Sequence, residues 1–272
     1  MSIITISRAF CSKGTQLAEL IAEQLHYTCV SREILLEASD QFNIPEIILT
    51  KAIHDGPTIF DKFTHGKQRY IAFIRSALLD FLKKDNMVYH GLAGHFFLQG
   101  LPHVLKVRTI ADMDVRIREE MEKENISELM ARKRLMNDDK NRHNFGMYLY
   151  GVDTYDPDLF DLVINLRDMS LNDCADIVCH TATRPSFTTT EESLERLSDL
   201  ALAAKVYALI IDKYFNSSVH SHEGNVSIQM NDQLAKPEKI RKDVEKLIKN
   251  VQEVKKISIS VKTSSLRTAM HK

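Results

Sequence analysis

Ile3-Ile4-Thr5-Ile6-Ser7-Arg8-Ala9-Phe10-Cys11-Ser12-Lys13-Gly14-Thr15-Gln16 decides how the chain folds. The β-branched run at its start reads as a short buried strand, and Leu17, Leu20, Ile21 and Leu25 recur at helical spacing just beyond it. Strand, loop and helix therefore follow one another, and the loop between them ends on Ser12-Lys13-Gly14-Thr15. A loop of this kind directs backbone N–H groups at an anion, because the first amides of a helix have no partners within it and its dipole favours negative charge there. Lys13 supplies a charge for the outer phosphates and Thr15 a hydroxyl for a metal ion, although Ser7 and Ser12 stand where a strict phosphate-loop pattern has glycine.

The same alternation continues. Short strands are predicted at Met87-Val88-Tyr89-His90, Val104-Leu105-Lys106-Val107 and Leu162-Val163-Ile164-Asn165, and helices over 68–83, 115–124, 127–145 and 191–215. Strands separated by helices imply a parallel sheet covered by helices. Nine glycines in 272 residues also fit a helix-rich chain better than a turn-dense β-sandwich. The polar stretch 216–224 reads as a linker, so the expected division is a first domain over 1–215 and a small one over 225–272. The second has alternating runs at 226–230 and 257–261 around an amphipathic helix at 237–251, a β-α-β unit that would gain from packing on the first domain or on a copy of itself. A homo-oligomer stays open on that ground.

Charge and composition narrow the function. The net charge of -1 gives no long-range pull toward nucleic acid or anionic lipid, so neither is expected as a partner. Residues 221–272 hold 11 Lys and Arg against 6 Asp and Glu, and Lys239, Lys242, Lys246 and Lys249 fall on one helix face, which reads first as a solvated face. The longest apolar stretch, 200–211, is too short to span a bilayer. No signal-peptide pattern opens the chain, and Cys11, Cys29, Cys174 and Cys179 lack paired spacing, so free thiols and a cytoplasmic location are expected. There is no Gly-x-Ser-x-Gly for a serine hydrolase and no Gly-x-Gly-x-x-Gly for a dinucleotide-binding dehydrogenase. His90, His95, His103, His143 and His180 show no zinc-binding spacing.

The opening segment, Ser12-Lys13-Gly14-Thr15-Gln16 and Arg32-Glu33-Ile34-Leu35 together resemble the cytidylate kinase-like P-loop proteins, relatives of the nucleoside monophosphate kinases. Three later segments continue the resemblance: 88–98 with Gly91 and Gly94, Asp139-Lys140-x-Arg142 as a lid signature, and Tyr155-Asp156-Pro157-x-x-Phe160-Asp161-Leu162-Val163-Ile164-Asn165. It covers about residues 1–215 and implies a three-layer α/β/α P-loop kinase fold, nucleotide substrates, ATP and Mg²⁺. Carried onto this sequence, it implies Ser12, Lys13, Gly14 and Thr15 as the nucleotide cradle, Thr15 as metal ligand, Arg8 and Arg32 on the acceptor, and Lys13 and Arg142 on the transferred phosphoryl. The chain departs from the family pattern where Cys11 and Ser12 or Lys13 replace glycines, Ser31 an acid and Leu92 an arginine.

Arg132 and Arg134 are weaker lid candidates, and Arg69 and Arg75 weaker acceptor candidates, each explained as well by a solvated helix face. Cys11, beside Lys13 and a helix N-terminus, is a candidate reactive thiol. The carboxy-terminal unit, with Val251-Gln252-Glu253-Val254-Lys255-Lys256 before its last strand, is similar in pattern to BON-type domains. Two functions follow: ATP-dependent phosphoryl transfer to a CMP-like acceptor, or a nucleotide-binding regulatory module that has lost the transfer. A structural protein without a nucleotide is a third reading.

Overall fold

The computed structural model describes residues 2–8, 13–31, 66–91, 94–231 and 237–262. Ser12, Cys11, Arg32 and Leu92 lie outside the described residues. Five strands, β1 (Ile3–Arg8), β2 (Thr28–Val30), β3 (Met87–His90), β4 (Val104–Ile110) and β5 (Leu162–Asn165), form one sheet in the order β2-β3-β1-β4-β5. Every pairing in it is parallel. The three predicted strands and the opening one are all present.

Alternation along β1 sorts its side chains between two layers, as a pleated strand buried on both faces requires. Ile4 and Ile6 pack with Val88, Leu105 and Val107 against α1 (Gly14–Leu25), through Leu17 and Ile21, and against Val178 of a helix at Leu171–Ala182. Ile3 turns the other way, with Met87 and Val104, toward Leu78 and Leu82 of α2 (Gly66–Leu82). Between β4 and β5 stand α3 (Met113–Glu124) and α4 (Glu128–Tyr150), an antiparallel hairpin with its own small core of Ile117, Ala131 and Leu135. Ser127 caps α4, accepting from the Met130 N–H, and Gly151 ends it in the left-handed region, five residues beyond the predicted end. The helix at Leu171–Ala182, here α5, was absent from the sequence reading and opens on a capping box at Ser170 and Asp173.

The predicted linker is a strand instead. Residues Ser217–His222 form β6, antiparallel to β7 (Asn225–Asn231), which pairs in parallel with β8 (Lys256–Lys262) after α7 (Pro237–Leu247). Glu223 and Gly224 both take positive φ, 50° and 81°, which suits the right-handed twist of a two-residue hairpin turn. α6 (Glu191–Ile210) shows why a linker is absent there. Leu197, Ala201 and Ala204 face the large sheet's core, while Leu202, Val206 and Ile210 face Val226, Ile228, Ile240 and Val244 of the small sheet. One helix closes both cores. Among the described residues no helix is long and apolar enough to cross a membrane.

Candidate nucleotide site

β1 delivers the chain to the sheet's C-terminal edge at Arg8, and Lys13 brings it back as the N-cap of α1. Lys13 takes φ 53° and ψ 11°, a left-handed conformation in which a side chain costs roughly 1 kcal/mol. The departure from glycine is thus absorbed as backbone strain. Gly14 is needed for space: a Cβ there would lie 2.7 Å from Arg8 Cβ and 3.0 Å from Thr109 Oγ1. Its Cα forms the floor on which the Arg8 stem rests. The first turn of α1 carries no acidic side chain, so its amides and half-buried Thr15 would meet an anion unopposed by charge on their own helix.

The α3–α4 hairpin brings further charge to this edge. Arg142, two turns before the end of α4, lies close enough to Arg8 for each guanidinium to disfavour the other's charge, and burial pushes the Arg142 pKa down. Asp138 and Asp139 offset that repulsion. Burial raises the Asp138 carboxyl's pKa, against the pull of Arg142 and Arg134. Two converging arginines in a partly desolvated place are complementary to a phosphoryl group.

What holds Arg142 there went unread in the sequence. Buried Arg116 of α3 makes two bonds to Asp139, at 2.7 and 2.8 Å, and Tyr155 O–H donates to the Asp139 carbonyl oxygen at 3.1 Å. Buried Arg108 of β4 donates to the Thr154 carbonyl oxygen and stacks its guanidinium between the rings of Tyr155, at 4.7 Å, and Phe160, at 5.6 Å. The available signal was an arginine continuing the apolar run of β4. Arg134 ties the hairpin together through Glu120 and Glu124, both at 3.1 Å, and Arg132 makes exposed pairs with Asp114 and Glu128. Both therefore serve the hairpin's own structure. Arg69 pairs with Asp212 at 2.7 Å, and Arg75 lines a different groove.

Lys13 is engaged as well. Its Nζ lies 3.1 Å from Glu119 Oε1 of α3, so the hairpin closes on the loop through an ion pair. His95, on the 3-10 turn Gly94–Leu98, is buried beside Phe96 and Phe160; burial, with Arg108 and Lys106 nearby, lowers its pKa to about 4. It is neutral at pH 7. Among the described residues no three His, Cys, Asp or Glu side chains form a metal-binding group. The half-buried Thr15 hydroxyl in the first turn of α1 is the group there that would suit a hard cation carried by phosphates.

The family described as cytidylate kinase-like matches residues 3–168. Among solved structures, an uncharacterized protein from Eubacterium ventriosum is similar at 18% identity and a TM-score of 0.53, over 66% of this chain and 97% of that one. A shikimate kinase from Bacteroides thetaiotaomicron gives 11% and 0.42 over 66% and 97%, and a gluconokinase from Sinorhizobium meliloti 13% and 0.39 over 72% and 93%. No curated protein matches the sequence. The family match contains the β1–α1 connection, the hairpin with Arg142 and the strand β5, and it spans more than half of the chain. The chain belongs to the cytidylate kinase-like family.

Proposed function

We propose that the chain transfers the terminal phosphoryl group of ATP, with Mg²⁺, to a nucleoside monophosphate of CMP type or a related small phosphorylated acceptor. The observation that carries this reading is that Lys13 caps α1, the Arg8 stem packs on Gly14 in its first turn, and Arg142 lies near Arg8. Phosphoryl transfer asks little covalent chemistry of a protein. It needs the reacting groups positioned and the charge on the equatorial oxygens met by fixed cations.

In this reading Lys13 holds the outer phosphates, and the amides after Gly14 complete the cradle. Thr15 would offer its hydroxyl to a Mg²⁺ ion brought by the nucleotide, and the ion would supply positive charge to the phosphates. Arg8, and Arg32 by the resemblance, orient the acceptor, while Arg142 meets the moving phosphoryl. By the resemblance, Ser12 would join the same cradle. A cytoplasmic setting fits such substrates, and the C-terminal sheet is an accessory unit.

One observation favours the regulatory alternative. Lys13 already has Glu119 as a partner, and a nucleotide must displace it. Thermal denaturation with ATP, CMP and Mg²⁺, followed by a turnover assay, separates the readings. Stabilisation with turnover supports transfer, stabilisation without turnover the regulatory module, and neither result overturns both. A ligand at 100 times its Kd stabilises by about 2.7 kcal/mol, well within reach of the assay.

A further inference from the structure

A groove of about 770 Å³ runs between α2, α6 and the strand β6, sharing no residue with the site at α1. Arg75 of α2 and Arg196 of α6 both line it, with Tyr207, Ser218 and His220. Arg75 is the informative member. Its Nε is buried without a hydrogen-bond partner, and desolvation lowers the pKa of its guanidinium. Among the described residues neither arginine forms an ion pair with a carboxylate. Arg75 is partly buried and Arg196 exposed, and burying even part of a cation without a hydrogen-bonding partner is costly.

Arg196 packs on backbone and Arg75 lies near a fixed tyrosine. A Cβ on Gly100, which sits at φ 75°, would lie 2.9 Å from Arg196 Nη2, so the guanidinium rests on a backbone that bears no side chain. Tyr207, which acts on Arg75 electrostatically, is itself fixed by donating its hydroxyl to the Phe215 carbonyl oxygen at 3.2 Å. Across the groove, Asp199 accepts from Ser221 Oγ at 3.1 Å and lies 3.5 Å from His222 Nδ1, so this acid is already occupied. Glu192, Glu195 and Glu223 also line the groove and are exposed, so they disfavour a highly charged polyanion more than a ligand with one oxyanion group.

We infer that this groove is a second binding site, for a small molecule bearing a single oxyanion group, phosphate or carboxylate, that docks between Arg75 and Arg196. The remainder of the ligand lies along β6, whose Ser218 hydroxyl and His220 imidazole are exposed to it. Because the walls come from α2 on the large sheet and β6 on the small one, the bound oxyanion joins the two parts of the chain.

The test is thermal denaturation of the full chain with inorganic phosphate, with acetate, and with sodium chloride at matched ionic strength. It is run on the wild type and on Lys13→Ala, which removes the anchoring charge of the first site. The expected result is a saturable rise of about 2–4 °C with phosphate or acetate beyond the chloride control, present in both proteins. Adding Arg196→Gln or Arg75→Gln to Lys13→Ala abolishes it. Which oxyanion gives the rise distinguishes a phosphate ligand from a carboxylate one. Three results overturn the proposal: no rise beyond chloride, a rise lost with Lys13→Ala alone, or one that survives either glutamine substitution. Should Arg75→Gln fail to fold, exposed Arg196 decides the matter by itself.

Discussion

Gly14 has no room for a methyl group, and Lys13 beside it holds a backbone conformation that glycine would adopt without strain. The two positions give opposite predictions. Gly14→Ala drives a Cβ into the Arg8 stem and lowers stability by about 1–3 kcal/mol, the usual cost of overpacking. Lys13→Gly removes the left-handed penalty and raises stability by up to about 1 kcal/mol while abolishing the loop's side-chain charge. Urea denaturation of both variants checks this pair. Because the substitution also removes the Lys13–Glu119 pair, the reference is Lys13→Ala, and a Lys13→Gly protein no more stable than Lys13→Ala contradicts the strained-loop account. At this scale the sequence was informative about residue type: a lysine, a glycine and a hydroxyl in the first strand-to-helix turn were legible. The interchange of roles was not, because a motif records which residues are present and cannot show which one bears the positive φ.

Two contacts of the α3–α4 hairpin govern the site at the level of elements. The Arg116–Asp139 pair locks the hairpin at its buried side, and Arg116→Ala leaves the Asp139 carboxylate without its two strongest bonds. Hydrogen bonds to charged groups are worth about 1.5–3 kcal/mol, so that variant should lose stability on this order and also weaken turnover by displacing Arg142. A stable Arg116→Ala protein with wild-type turnover contradicts the positioning role. Glu119 acts at the other end. Exposed ion pairs contribute about 0.2–1 kcal/mol, so Glu119→Gln should raise ATP affinity by up to about fivefold, measured by calorimetric titration. The lid signature ending at Arg142 was readable, whereas Arg116 and Arg108 act only through tertiary partners far along the chain. β6 escaped notice for a different reason. Its six residues offer one apolar side chain, Val219, so the period-2 pattern has almost nothing to display; the Glu223-Gly224 turn was the better clue.

Across the whole molecule, the double-faced helix α6 ties the small sheet to the large one. The sequence reads as a long amphipathic helix over 191–215, but a helix buried on two sides does not reveal which partners each side serves. Ending the chain after residue 216 would expose Leu202, Val206 and Ile210, each worth roughly 1.5–3 kcal/mol of burial. The truncated protein should therefore have a markedly lower melting temperature, and an unchanged one would show that the two cores are independent. Acid sensitivity has a separate origin in His95. Its folded pKa of about 4 lies below the 6.5 of a free imidazole, so the unfolded chain takes up the proton first as pH falls. Its contribution is complete above about pH 6.5 and is lost on descending toward pH 4, by an order of 3 kcal/mol. His95→Phe should flatten the stability profile across that window. The central claim is that an anion-binding cradle is built on Lys13 at the N-terminus of α1. Calorimetric titration of ATP with Mg²⁺ into the wild type and Lys13→Ala tests it most directly. A charge-assisted contact of about 1.5–3 kcal/mol predicts a Kd weakened about tenfold or more in the variant, and equal affinity in the two proteins would contradict the account.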